Sequence, residues 1–207
     1  DYPRGITVDN AGNVYVVDSY NARIQKFTNT GIFTAKWGTY GSGDGQFNYP
    51  VGIAVDSLDN VYVADTDNSR VQKFPNTGFF LAKWGSYGQG DGQFRYPYGI
   101  AVDSLDNVYV ADTDNNRTQK FANNGIFLDK WDNSADGKLQ YPHNVAVDDL
   151  GNVYVADTGN NRIQKFDSSG NFVTKWGSFG TANGQFYSPI GIAVDGAGNV
   201  YVADTEN

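Results

Sequence analysis

Residues 97–114 read PYGIAVDSLDNVYVADTD, and residues 50–67 read PVGIAVDSLDNVYVADTD, so the two stretches differ only at Tyr98 against Val51. A phrase this long that returns almost unchanged marks a repeated structural unit, and its period comes before any local motif. The phrase opens at Pro3, Pro50, Pro97, Pro142 and Pro189, with spacings of 47, 47, 45 and 47 residues. Inside each unit the other landmarks keep one order. VYVVD or VYVAD is followed by NARIQKF, NSRVQKF, NNRTQKF or NNRIQKF, and then by an aromatic segment ending in Lys-Trp.

Each unit contains four short stretches of strand character and no run of helical periodicity. In the second unit they are residues 52–56, 61–65, 70–74 and 79–84. Turn chemistry separates them. Asp59-Asn60, like Ala11-Gly12 and Leu150-Gly151, makes a hairpin corner; residues 66–69 form an Asx-type loop; Asn76-Thr77-Gly78 is a tight turn tolerating positive φ. The first two stretches are apolar on both faces, as in a sheet covered on both sides. In the fourth, Phe80, Ala82 and Trp84 share one face and Lys83 points the other way. Four antiparallel strands per 47 residues, each sheet lying between its neighbours, describe a β-propeller. The expected fold is all-β: one domain over 1–207, with four complete four-stranded blades in units 3–49, 50–96, 97–141 and 142–188. The two inner strands of a fifth blade occupy 189–207.

The succession GxGDGQF, P-x-GIAVD, NVYVADTxNNRIQKF, GxF and KWGS resembles the NHL repeat over the whole chain. That resemblance implies a ring usually of six blades, with the GIAVD strand innermost around a central channel and the Lys-Trp strand at the rim. At 47 residues per blade a six-bladed ring needs about 280 residues, so the 207 present are expected to belong to a longer ring. The edge at residues 200–204 and the outward face of the first blade then call for a cover, either the remainder of a longer parent chain or another copy. The resemblance also implies a role. Most often it is a binding or interaction module for a protein or glycan, and the alternative is a channel-site lyase or hydrolase whose metal ligands lie in blades outside these residues. RNA binding is a third implication.

Composition narrows these classes. With 40% hydrophobic and 15% aromatic residues the chain can bury a core, unlike a disordered segment. No apolar run approaches the roughly 18 residues that span a bilayer, so no membrane insertion is expected. The first residues carry no signal-peptide pattern. The net charge of −8 weighs against nucleic acid, whose binding draws on Lys and Arg. The absence of Cys removes disulfides and thiolate chemistry but leaves the compartment open, with an extracellular or cell-surface setting taken forward. One His and no Cys make a poor zinc set, and no cofactor or metal is expected, including at His143.

Recurring motifs read as structure. Asp18 with Arg23, Asp65 with Arg70, Asp112 with Arg117 and Asp157 with Arg162 keep a five-residue offset in every complete unit. A catalytic dyad is not needed four times, so these pairs are expected to brace the loop between second and third strands. DTDNSR from Asp65 opens like a calcium loop, yet has Arg70 where Gly is required and Asn76 where Glu is required. GSGDGQF and GQGDGQF lack the Lys-Ser/Thr of a phosphate loop and are turns. Lys36, Lys83, Lys130 and Lys175 protect the outer edge. Asn116-Arg117-Thr118 is a glycosylation sequon.

Departures from the repeat are the better guide to function. The residue after each Pro is Arg4, Val51, Tyr98, His143 or Ile190, at a position that the resemblance places at the channel mouth. The third connection, DNSADGKLQYP, is two residues shorter and leads to His143-Asn144 where the other units have x-Gly, and Asp129 replaces a small or hydroxyl residue. Loop drift explains part of this. Arg95, Tyr98, His143 and Asn144 are the candidate binding patch, with no catalytic residue expected.

Overall fold

The computed structural model describes residues 1–132 and 138–207. The middle of the short third connection, 133–137, lies outside the described residues. Each complete unit folds as one antiparallel sheet in chain order. The first sheet contains β1 (Pro3–Val8), β2 (Val14–Asp18), β3 (Arg23–Phe27) and β4 (Phe33–Trp37). The second contains β5 (Pro50–Val55), β6 (Val61–Asp65), β7 (Arg70–Phe74) and β8 (Ala82–Trp84). The third contains β9 (Pro97–Val102), β10 (Val108–Asp112), β11 (Arg117–Phe121) and β12 (Phe127–Trp131). The fourth contains β13 (Pro142–Val147), β14 (Val153–Asp157), β15 (Arg162–Phe166) and β16 (Phe172–Trp176), and β17 (Pro189–Val194) pairs with β18 (Val200–Asp204) alone. The molecule is an all-β propeller of four full blades and the inner half of a fifth. No α-helix occurs among the described residues.

Strand boundaries differ from expectation at three places, one of them the inner strand's end, at Val55 rather than residue 56. Inner strands begin at their Pro rather than at the Gly two residues later, a place where a missing N–H costs no ladder bond. The outer strand of the second blade starts at Ala82 instead of residue 79. The third-to-fourth strand turns of the other blades close with Thr28, Ala122 or Asp167 donating its N–H to a carbonyl four residues on. The equivalent residue here is Pro75, which has no N–H to give, so that hairpin zips up later.

The inner hairpin corner is built on an aspartate. Asp56 accepts the N–H groups of Leu58 and Asn60, the Asn60 amide and, at 2.8 Å, the Tyr62 hydroxyl. Asp59 rather than Asn60 takes the left-handed conformation, at φ 61°, where other blades place Gly12 and Gly151. The loops between second and third strands, read as Asx-type, are single 3-10 turns closed by a left-handed residue such as Ser69 or Asn116.

Cores lie between blades. Tyr15, Val17 and Ile24 of the first blade, with Phe47 of the loop that follows it, pack on Ile53, Val61, Val63 and Phe74 of the second. The same arrangement joins Tyr62 and Val71 to Phe94, Ile100, Val108, Val110 and Phe121. This is why VYVAD is apolar on both faces: one face belongs to the core before it and the other to the core after it. The terminal faces show the converse. Ile6 is 68% exposed where Ile53 is 7%, and Tyr201 is 59% exposed where Tyr62 is fully buried.

Candidate functional site: the channel and its mouth

The five inner strands, together with Tyr201, Val202 and Ala203 of β18, line a channel of about 770 Å³. Its wall is layered by sequence position. Gly5, Gly52, Gly99, Asn144 and Gly191 form one layer, and Ile6, Ile53, Ile100, Val145 and Ile192 form the layer below. The glycine layer exists because neighbouring inner strands nearly touch. A β-carbon on Gly5 would stand 2.5 Å from the Val51 carbonyl oxygen, and one on Gly99 would stand 2.5 Å from the Asn144 Cα. Asn144 itself turns its carboxamide onto its own backbone, Oδ1 accepting the Val145 N–H at 2.8 Å.

Above the glycines, Arg4, Tyr98 and His143 line the mouth. Register with the second strand slips just after the Pro in every inner strand, a bulge that frees these side chains from the ladder. Tyr98 and His143 stack, ring centroids 4.8 Å apart and planes 18° from parallel. Arg4 donates to the Tyr49 hydroxyl at 2.7 Å, and its guanidinium lies 5.1 Å from the Tyr2 ring and 5.7 Å from the Tyr49 ring. Tyr20 extends the aromatic rim, 4.6 Å from Tyr2 and 5.7 Å from Tyr49.

The repeated aspartate and arginine hold this mouth in place. Arg117 Nε donates to Asp112 Oδ2 at 2.7 Å, while its other nitrogens donate to the carbonyls of Gln89, Gly90 and Gln93 in the loop arriving from the second blade. Asp112 Oδ1 then accepts the Arg95 N–H, two residues before Pro97. Asp65 with Arg70 does the same for the preceding loop, taking the Asn48 N–H. Asp157 with Arg162, and Asp18 with Arg23, make the same ion pair at 2.6 and 2.7 Å. In addition Thr66 Oγ1 donates to the Pro97 carbonyl of the next inner strand, as Thr113 does to Pro142. The Asp65 carboxylate that opened the calcium-like motif is thus occupied by Asn48, Asn68, Arg70 and Gln72. Two outer-edge lysines are shown with carboxylate partners, Lys83 with Asp44 and Lys130 with Asp91, the latter at 2.7 Å.

Arg4 bears on the channel wall directly, while Asp67 and Asp114 on the adjoining turns act on Tyr98, and Asp114 also acts on His143. Burial pushes the pKa of the Tyr98 hydroxyl up and that of the His143 imidazole down, and the Arg4 charge lowers His143 further. Both rings are therefore uncharged at neutral pH. Arg4 is the one charged side chain among the described residues lining the channel.

The candidate patch divides. Tyr98, His143 and Asn144 line the channel together, but Arg95 does not: its backbone is tied to Asp112 and its guanidinium lies over the exposed Tyr87 ring, 5.4 Å from the centroid. Arg95 and Tyr98 are three residues apart in sequence, but the turn before Pro97 separates them. Tyr2, Tyr49, Tyr96 and Tyr141, each directly before a Pro, were missed. All four are left-handed, with φ between 46° and 56°, a conformation that costs a non-glycine residue about 1–2 kcal/mol. Tyr before Pro in four of five units was the signal available for them.

The sequence profile of the NHL repeat matches residues 1–27, 47–74, 94–121, 139–166 and 186–207, more than half of the chain. The chain belongs to the NHL-repeat family. No curated protein sequence matches it. Among solved structures, this NHL propeller is similar to virginiamycin B lyase from Staphylococcus aureus, with TM-score 0.73, 17% identity, and 98% of this chain on 63% of that one. It is also similar to a chain in a nidogen/laminin complex, with TM-score 0.72, 20% identity and 98% on 72%. A protein from Bacteroides caccae gives TM-score 0.69 and 18% identity, 98% on 70%. At these identities the likeness is one of fold. The chain spans 63% of the length of the lyase.

Proposed function

We propose that this NHL propeller is a non-catalytic interaction module whose mouth face binds a protein partner. The observation that carries the reading is the contrast between scaffold and tip. The Asp–Arg pair, the tethered loop and the Thr-to-Pro hydrogen bond recur from blade to blade, while the residue they deliver to the mouth is Arg4, Val51, Tyr98, His143 or Ile190. Repeated support with varied tips makes an asymmetric surface on a rigid scaffold, and exposed Tyr and Arg are the residue types that anchor protein interfaces. No carboxylate lines the channel among the described residues to serve as acid or base beside His143. One structural neighbour comes from a nidogen/laminin complex and another is a lyase, so both an interaction role and an enzymatic one have precedent in the fold.

The test places a photo-reactive side chain at position 98, on the mouth, or at position 58, on the opposite face, and irradiates each in an extract of the source cells. A discrete adduct is expected from position 98. Excess unlabelled chain should suppress it, and excess chain carrying Tyr98→Ala and His143→Ala should not. Equal labelling from both positions, or no saturable adduct from 98, overturns the proposal.

A further inference from the structure

We infer that the channel mouth binds a carboxylate carried on an apolar body, with Arg4 as its anchor. This rests on the mouth being the binding surface and names the chemistry of what it takes. The chain has six arginines. Arg23, Arg70, Arg117 and Arg162 each hold an aspartate at 2.6–2.7 Å. Arg95 lies against Tyr87, outside the channel. Arg4 has no carboxylate within ion-pair distance among the described residues; its hydrogen bond goes to the neutral Tyr49 phenol. A guanidinium has five N–H donors, so most of this fork remains open.

Among the described residues Arg4 and Arg95 are the two arginines without a carboxylate at ion-pair distance, and of these only Arg4 lines the cavity, oriented by two aromatic rings at its rim. The wall beneath it is glycine backbone and branched aliphatic side chains, and the neighbouring Tyr98 and His143 are uncharged. Such a site favours an anion at the rim and an apolar group below. Guanidinium pairs carboxylate through two parallel N–H···O bonds. A dianion would lack a second cation, and it would meet Asp67 and Asp114, exposed on the adjoining turns and close enough to bear on the Tyr98 hydroxyl. The channel volume of about 770 Å³ falls within the range of small-ligand sites. Two sources supply this chemistry: a free organic acid, and the C-terminal residue of a polypeptide.

Calorimetry on the purified chain tests the inference with two matched pairs. One is 4-phenylbutyrate against 4-phenylbutyramide. The other is the acetylated peptide Gly-Gly-Ser-Phe-Leu with a free C-terminus against its C-terminal amide. In at least one pair the carboxylate should bind about tenfold more tightly than the amide. Arg4→Gln should abolish that advantage and Arg95→Gln should keep it. Arg4 is exposed, so Arg4→Gln should fold, as circular dichroism will verify. An advantage confined to the peptide pair identifies a polypeptide terminus, and one confined to the acid pair a free acid. Amides binding as tightly as carboxylates, an advantage that survives Arg4→Gln, or no binding at millimolar concentration in either pair overturns the inference. If these assays fail while the position 98 adduct persists, the interaction role stands and the carboxylate site falls.

Discussion

Gly52 lies against the backbone of Tyr98 in the next blade, so closely that a β-carbon at position 52 would stand 2.2 Å from the Tyr98 carbonyl oxygen. The bare backbone of the glycine layer therefore sets how near the inner strands come, and with it the width of the channel.

Gly52→Ala should accordingly destabilise the propeller by about 1–3 kcal/mol through overpacking against backbone that cannot swing away. Gly196→Ala is the control: its nearest neighbour to an added β-carbon is Asp149 Oδ2 at 3.9 Å. Denaturant unfolding should move for the first and stay within about 0.5 kcal/mol of the parent for the second. Equal midpoints for all three proteins would show that the inner strands can part.

Arg117→Ala should be far more damaging than Arg23→Ala. Arg117 is buried and serves Asp112 and three loop carbonyls, so removing it strands a buried carboxylate at a cost of about 3–5 kcal/mol. The Arg23 side chain is 30% exposed, and its loss should cost about 1 kcal/mol. Similar losses in chemical denaturation would mean that the loop carbonyls contribute nothing.

Burial works to raise the Asp56 carboxyl, yet hydrogen bonds from the Asn60 side chain and backbone, the Tyr62 hydroxyl and the Leu58 N–H outweigh it and hold its pKa below the usual value. A folded pKa below the unfolded one, about 3.9, gives stability that is present above that pH and is lost as pH falls through the folded value. Asp56→Asn should therefore lower stability at pH 7 and flatten the decline measured between pH 5 and pH 2. Parallel pH profiles for the two proteins would refute this.

His143 is the one histidine, so its imidazole proton signal can be followed without assignment ambiguity. Burial first, and Arg4 second, depress its pKa, which should give a midpoint below about 6.5. Because the folded value lies below the unfolded one, stability should fall as pH drops below the unfolded value. Arg4→Gln should raise the midpoint part of the way back. A midpoint unmoved by that substitution would place Arg4 too far from His143 to act on it.

Much of this molecule was legible before any coordinates. A 47-residue period, strands of β-branched and aromatic residues and glycine at the turns determined the propeller and the pairing of Asp112 with Arg117, because a repeated unit meets the same neighbours each time. Local chemistry was also enough to mark Asn76-Thr77-Gly78 as a tight turn that tolerates positive φ, which Gly78 adopts.

The tertiary structure alone decided which mouth residues meet. Arg95 and Tyr98 are three residues apart yet face different surroundings, because the left-handed Tyr96 and the Pro97 after it turn the chain between them. Tyr98 and His143 are 45 residues apart yet stack, because the glycine layer brings adjacent inner strands nearly into backbone contact. Sequence specifies each blade through short-range patterns. The site is made where five blades converge, and its membership depends on the spacing and direction of strands distant in the chain.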